Sequence, residues 1–240
     1  AARGTLYVDD IRLYRTAPPA PAAKDPGTTG LVASYTFEGS VQDGSGQNHN
    51  GTTVNDPTYG QSLSGLGQAI QLDGVNDHVE LPIGSLVGTL TSATVGAWVN
   101  FDPATSGSWS RIFDFGTDPN TYMFLTPRQG TAGTMRFAIR ASASSGESNI
   151  TAPAALLGGW HHVAVVIDGP TRTAQIYQDD QVVAAGPITN LPADLGNTSR
   201  NWLGRSQFDA DGYFSGAMDE LRIYNRALSA EEVLYLAGGR

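Results

Sequence analysis

Oxygen-bearing side chains gather at two places far apart in this 240-residue chain. Glu38 follows the apolar run 31–37, and Asp43, Asn48 and Asn50 stand in the turn-rich stretch after it, VQDGSGQNHNGT (41–52). Asp219 opens a second apolar run near the other end, DELRIY (219–224). Carboxylates, amide oxygens and the carbonyls of a turn-rich loop suit a hard cation, and calcium takes roughly six to eight such oxygens. A plainer reading stands beside this one. Asp43 before Gly-Ser-Gly suits an Asx turn, and Asp219 is placed to cap a strand or to pair with Arg222.

A second set of residues could recognise sugars, which needs flat apolar faces for the ring and nearby groups that hydrogen-bond hydroxyls, usually on loops. Trp109, in the Gly/Ser-rich stretch SGSWSR (106–111), is the aromatic least explained by a strand pattern. Tyr122 after TDPNT, Tyr213 after DADG, and Trp202 in NWLGR are the other candidates. Trp98 and Trp160 lie inside strand patterns and read as core. For each loop aromatic, partial burial against a sheet edge competes with ligand stacking.

Catalytic patterns are missing from the sequence. No Gly-x-Ser-x-Gly elbow, phosphate loop or His-Glu-x-x-His is present. His161 and His162 are adjacent in an apolar run, so on a strand they point to opposite faces and cannot share an ion. Asn76-Asp77 reads as a turn between two strands. Cysteine is absent, which excludes disulfides and thiolate metal sites. The net charge of −9 and a single lysine, Lys24, leave no basic stripe for nucleic acid. No apolar run approaches the roughly 20 residues that span a bilayer, so membrane insertion is not expected.

The elements that must position these residues are strands. Hydrophobic residues make up 40% of a chain that also holds 29 glycines and 13 prolines, which fits short strands and many turns. Apolar and polar residues alternate in 32–37, 78–81 and 135–140, as in strands with one wet face. Residues 95–99 and 162–167 are more continuously apolar and read as central strands. One short helix is expected over 230–236, because Ser229 and Glu232 form a capping box and Gly238-Gly239 stops it.

Five ordered pieces, LVASYTFEGSVQDGSGQNHNGT (31–52), GQAIQLDGVNDHVELP (67–82), ATVGAWVNF (93–101), GWHHVAVVIDG (159–169) and YFSGAMDELRIYNRALSAEEV (213–233), resemble a laminin-G-like domain. That family belongs to the concanavalin A-like lectin and glucanase type. The resemblance covers about residues 30–240 and implies an all-β fold, a two-sheet antiparallel jelly-roll β-sandwich, with the strands at 31–38 and 218–225 adjacent. It also implies a non-catalytic module, usually extracellular or at the cell surface, whose partners are a glycan or polysaccharide and neighbouring modules of one longer polypeptide. Protein adhesion is the alternative. A structural calcium is further implied where the first and last strands meet, with Glu38 and Asp219 as principal ligands and Asp43, Asn48 and Asn50 as lesser ones. Glycoside hydrolases of this fold resemble one another in a strand with alternating acidic residues, and no glutamate here stands in such an array. Lyases of this fold bring Gln, His, Arg and Tyr together, and no pattern joins Gln207, His78, Arg111 and Tyr122.

Upstream, TLYVDDIRLYR (5–15) echoes AMDELRIYNR (217–226). Residues 1–16 therefore read as the closing strand of a preceding β module or as an extra edge strand. Residues 17–29, rich in Pro and Ala, read as a semi-rigid linker. No signal peptide heads the sequence, so it is expected to begin after a cleavage site or, in preference, inside a longer polypeptide whose catalytic domain, if any, lies elsewhere.

Overall fold

The structure is a computed structural model that describes residues 22–130 and 133–238. The strand expected within residues 1–16, and the start of the linker, lie outside the described residues. Among the described residues, fifteen strands follow one another. The first five are β1 (Leu31–Tyr35), β2 (Thr52–Val54), β3 (Thr58–Gln61), β4 (Gln68–Asp73) and β5 (His78–Glu80). A one-turn helix, α1 (Gly84–Val87), which the sequence pattern did not announce, precedes β6 (Ala93–Phe101), β7 (Phe113–Asp118), β8 (Thr121–Thr126), β9 (Arg136–Arg140) and β10 (Ser148–Thr151). The chain continues with β11 (Gly159–Asp168), β12 (Thr173–Gln178), β13 (Gln181–Pro187), β14 (Arg200–Leu203) and β15 (Ser215–Tyr224), and then α2 (Ala230–Leu236).

The strands build two antiparallel sheets, which is the expected jelly-roll sandwich. One has the order β13-β12-β11-β6-β15-β4-β3, with β1 also paired to β15, and the other runs β10-β9-β8-β7-β14-β5-β2. The continuously apolar β6 and β11 are neighbours in the middle of the first sheet, as their two-sided burial requires. The two ends of the domain meet: Leu31 pairs with Tyr224, and Tyr35 with Leu221. β15 exchanges neighbours along its length, with β4 beside its first half and β1 beside its second. Its register against β6 slips between Asp219 and Arg222, and Glu220 adopts φ 50° there. A bulge of this kind re-aims side chains, and here it turns around Asp219.

Alternation decides which residues are core. Val95, Val99, Val163, Val165, Met218 and Ile223 from the first sheet meet Phe113, Phe115, Met123, Leu125, Phe137 and Leu203 from the second, all buried. At roughly 1.5–3 kcal/mol for each such side chain, this interior is the main stabilising term of the fold. The outer face of the first sheet is covered by α2, where Val233 and Leu236 pack on Ala164, Val166 and Tyr224. The capping box forms as the sequence indicates: the Glu232 N–H donates to Ser229 Oγ, and the Ser229 N–H donates to the Glu232 carboxylate. On the second sheet the side chains opposite the core, among them Tyr122, Phe124, Asp114, Trp202 and Glu80, form the outer face.

Candidate functional site

Tyr122 and Phe124 stand two residues apart on β8, so both project from the same outer face, their rings stacked at 5.5 Å. Outer-face residues are normally wet, yet each of these is only 3% exposed. Two loops account for this. One, before β7, brings Trp109; the other, between β14 and β15, brings Phe208, whose ring meets Tyr122 edge-on at 5.5 Å. Together they enclose a pocket of about 260 Å³.

Arg111 holds the pocket together. It is a 1% exposed cation whose guanidinium lies 3.9 Å from the centre of the Phe124 ring. Its Nε donates to Asp114 at 3.3 Å, its Nη2 to Asp211 at 2.7 Å, and its Nη1 to the Trp109 carbonyl. One buried side chain thus binds the sheet, the Trp109 loop and the Asp211 loop. Trp109 itself has φ 59°, in the left-handed region that costs a non-glycine residue on the order of 1 kcal/mol or more. The Arg111 bond to its carbonyl fixes that conformation.

Arg136 and Glu147, joined as an ion pair, complete the lining, with the Arg136 guanidinium 6.0 Å from the centre of the Trp109 ring. Tyr122 donates its hydroxyl to the other Glu147 oxygen at 2.5 Å. Burial, and then the neighbouring carboxylate, push the Tyr122 phenol well above its ordinary range, so it remains a donor. Burial also outweighs the attraction of Arg111 at Asp114, pushing that carboxyl up to about 7, and it raises Asp211 in the same way.

The four aromatic candidates are divided by this geometry. Trp109 and Tyr122 line the pocket. Tyr213 lines a smaller adjoining depression that shares Phe208 and Asp211 with it. Trp202 belongs elsewhere on the sheet: Arg205 lies 4.2 Å from its ring, its indole N–H donates to Glu80 at 3.3 Å, and it borders a separate depression of about 210 Å³. Of the residues considered for lyase chemistry, Arg111 and Tyr122 share the pocket. Gln207 is buried beneath it, donating its N–H to Asp114, and His78 sits by Trp202 and Tyr213. Sequence reasoning missed Arg111, Arg136, Glu147 and Asp211 as pocket walls. For Phe124 a signal existed, its position two residues from Tyr122 in a strand.

The cation candidates also fall into two sets. The Asp43 carboxylate accepts the N–H groups of Ser34, Ser45 and His49 and the Ser45 hydroxyl, while the Asp43 N–H donates to Asn50 Oδ1. Partial burial pushes this carboxyl up, but those hydrogen bonds outweigh it and hold it below the usual range. Asn48 turns the same loop with φ 62°. These three residues organise their loop, and the Asp43 oxygens are already occupied.

Glu38 and Asp219 form the other set. Asp219 is fully buried in the β15 bulge, accepting the Ser62 hydroxyl at 2.5 Å and the Glu220 N–H at 2.7 Å. Burial first, with the charges of Glu220 and Glu38 adding to it, pushes its carboxyl up to about 6. The Glu38 oxygens receive the Gln68 N–H at 3.1 and 3.2 Å. Gly67 passes over this carboxylate with φ 78°, a conformation that favours glycine, and a Cβ there, 2.0 Å from Glu38 Oε1, would push the Glu38 side chain aside. Mutually repelling carboxylates, one of them wholly buried, suit a cation. Among the described residues, however, no three acidic or histidine side chains gather in a metal-binding arrangement.

The family model described as the concanavalin A-like lectin/glucanases superfamily matches residues 73–234. No curated protein matches the chain. Among solved structures, domain 4 of AbnA, a GH43 extracellular arabinanase from Geobacillus stearothermophilus, in complex with arabinotriose, is 26% identical with a TM-score of 0.71. The match covers 86% of this chain and 98% of that one. The Ruminococcus gnavus IT-sialidase CBM40 bound to α2,3-sialyllactose shares the fold at 16% identity and a TM-score of 0.59, over 71% of this chain and 96% of that one. The botulinum neurotoxin serotype C1 binding domain shares it at 13% identity and a TM-score of 0.63, over 88% of this chain and 52% of that one. No helix among the described residues is long and apolar enough to cross a membrane.

Proposed function

The chain belongs to the concanavalin A-like lectin/glucanases superfamily, and on that footing we propose that it is a non-catalytic carbohydrate-binding module of a larger secreted or surface protein. The observation that carries this reading is the Trp109–Tyr122 pocket, an aromatic-walled recess with hydrogen-bonding side chains at its rim. Trp109 offers a ring face for the C–H surface of a sugar, and Arg136 and Glu147 offer a donor and an acceptor to its hydroxyls. The arabinanase domain, similar along nearly its whole length and described with arabinotriose, supports a glycan as the ligand.

The pocket is read as binding rather than catalytic because of how its carboxylates are held. Glu147 is tied to Arg136 and Tyr122, and Asp211 to Arg111 and Ser206. Each stabilises a wall, and neither is placed as a free acid or base. A protein-adhesion role would favour a continuous exposed apolar patch. The exposed large apolar side chains among the described residues, Val75, Leu157 and Val182, stand on three different segments.

A structural calcium belongs to the same proposal. Glu38 and Asp219 would hold it, and its contribution would be to neutralise their charge and join the first and last strands of the domain. A glycan array probed with the 240-residue protein, followed by titration of Trp109→Ala, tests the main reading. Binding to defined glycans that the substitution weakens at least about tenfold supports it. Absence of glycan binding, or binding indifferent to Trp109, refutes it.

A further inference from the structure

The charges of the pocket say which sugars it takes. Its two cations are each already matched. Arg111 has Asp114 on Nε and Asp211 on Nη2, and its remaining terminal nitrogen faces the Trp109 carbonyl. Arg136 donates through Nη2 to Glu147 and through Nη1 to Gln129 Oε1 at 3.2 Å. A guanidinium grips a carboxylate through two neighbouring nitrogens, either the terminal pair or Nε with Nη2. On both arginines each of those edges includes a nitrogen that a protein group already occupies.

The anions lining the pocket balance these cations. Glu147 faces Arg136, and Asp211 faces Arg111, so the wall carries no surplus positive charge. Asp114 lies just beneath, on the second side of Arg111. An acidic sugar entering here would have to displace Glu147 from Arg136, leaving that carboxylate unpaired beside the incoming one. It would also approach a molecule with a net charge of −9. A neutral sugar meets no such conflict. Two adjacent hydroxyls can bridge the Arg136–Glu147 pair, one accepting from the guanidinium and the other donating to the carboxylate, while Trp109 covers the ring face.

We infer that the Trp109–Tyr122 pocket selects uncharged sugars with adjacent hydroxyls and rejects sugars that carry a carboxylate, an inference that rests on the carbohydrate-binding reading above. Glu147 is the specificity-determining residue. Its carboxylate is both the acceptor for a sugar hydroxyl and the charge that excludes an acidic ligand.

The test is calorimetric titration of the whole protein with two panels of probes. Arabinotriose, xylotriose and lactose form the neutral panel; trigalacturonate and α2,3-sialyllactose form the acidic one. At least one neutral probe should bind at least about tenfold more tightly than either acidic probe. Glu147→Gln, which removes the rim charge and loosens the hold on Arg136, should shrink that preference by about tenfold or more. Because Glu147 lies at the surface of the sandwich, its side chain 26% exposed, the variant should fold, and its circular dichroism melt checks this. A measurement without mutation stands beside it. Binding of the neutral probe should be unchanged between ~50 and ~500 mM salt, a range over which charge attraction would be strongly screened. Equal or tighter binding of an acidic probe, or an unchanged ratio in a folded Glu147→Gln, overturns the inference while leaving the binding reading in place. Silence from every probe in both panels overturns the binding reading and the inference together.

Discussion

Gly107 and Gly212 touch backbone to backbone: a Cβ on Gly107 would lie 2.5 Å from the Gly212 Cα, and one on Gly212 2.3 Å from the Gly107 Cα. The Gly212 N–H also donates to the Ser108 carbonyl at 2.9 Å. This contact zips together the two loops that carry Trp109 and Asp211. Backbone atoms cannot yield as a flexible side chain can, so Gly107→Ala must spread the loops. We expect a stability loss of about 1–3 kcal/mol, as for other overpacked sites, together with weaker glycan binding. Urea unfolding and calorimetric titration of the variant read the two effects. An unchanged midpoint and affinity would mean that the loops are not clamped here.

Trp109 and Trp202 should separate binding from stability. Trp202 is 6% exposed and held by Arg205, Glu80 and the edge of His78, so Trp202→Ala should cost about 3–5 kcal/mol, as for other buried aromatics. Trp109 is only partly buried, on a strained turn whose left-handed backbone its side chain does not favour. Trp109→Ala should weaken glycan binding while moving the thermal midpoint little. The reverse pattern, with Trp202→Ala stable and unable to bind, would transfer the site to the depression beside Glu80.

The Glu38–Asp219 pair predicts a calcium response with a definite pH dependence. The folded Asp219 carboxyl is pushed up to about 6, against about 3.9 for an unfolded aspartate. A raised acid favours the protonated fold, so this contribution is complete below about pH 4 and is lost as pH rises through about 6. In metal-free protein Asp219→Asn should remove that loss. Calcium at about 100 times its dissociation constant should add roughly 2.7 kcal/mol, or about 5–10 °C in melting temperature, and most of it above pH 6. Superimposable melts in chelator and in millimolar calcium, from protein shown to be metal-free, would refute the site.

What the sequence disclosed, and what it withheld, follows from the range of the interactions. Hydrophobic patterning is local, so the central strands β6 and β11 could be expected from residues 95–99 and 162–167, whereas the pairing of β1 with β15, which joins opposite ends of the domain, was implied only by the laminin-G-like resemblance. The Ser229–Glu232 capping box spans three residues and was equally plain. Trp109 stood out because its loop lacks a strand pattern. Its partners did not, since Arg111 finds Asp211 100 residues away and nothing near either residue marks the other. Trp202, in NWLGR, could be assigned to neither core nor loop from its neighbours, and it lies within β14 under the Arg205 guanidinium. Asp43 and Asp219 both stood as candidate cation ligands, Asp219 as a principal one and Asp43 as a lesser one. What distinguishes them is the Asp43 loop folding back on its own carboxylate while the β15 bulge buries Asp219.

His162 supplies a pH dependence of opposite sign on the same sheet, where it and Asp219 both pair across from Trp98. Its ring is 2% exposed, meets Trp98 edge-on at 5.7 Å, and has no hydrogen-bond partner at Nδ1. Burial pushes its pKa down to about 4, against about 6.5 unfolded, so the folded state holds it neutral. Its contribution is therefore complete above about pH 6.5 and is lost as pH falls toward 4, because the unfolded chain binds the proton first. The comparison is best made with calcium saturating, which quiets the opposing titration of Asp219. Between pH 7 and pH 4.5 the native protein should lose about 1–3 kcal/mol more stability than His162→Phe, a substitution that keeps an aromatic ring against Trp98 but cannot take up a proton. Urea midpoints at the two pH values measure this difference. If the two proteins lose stability in parallel, His162 accepts its proton within the fold and the buried, neutral ring is disproved.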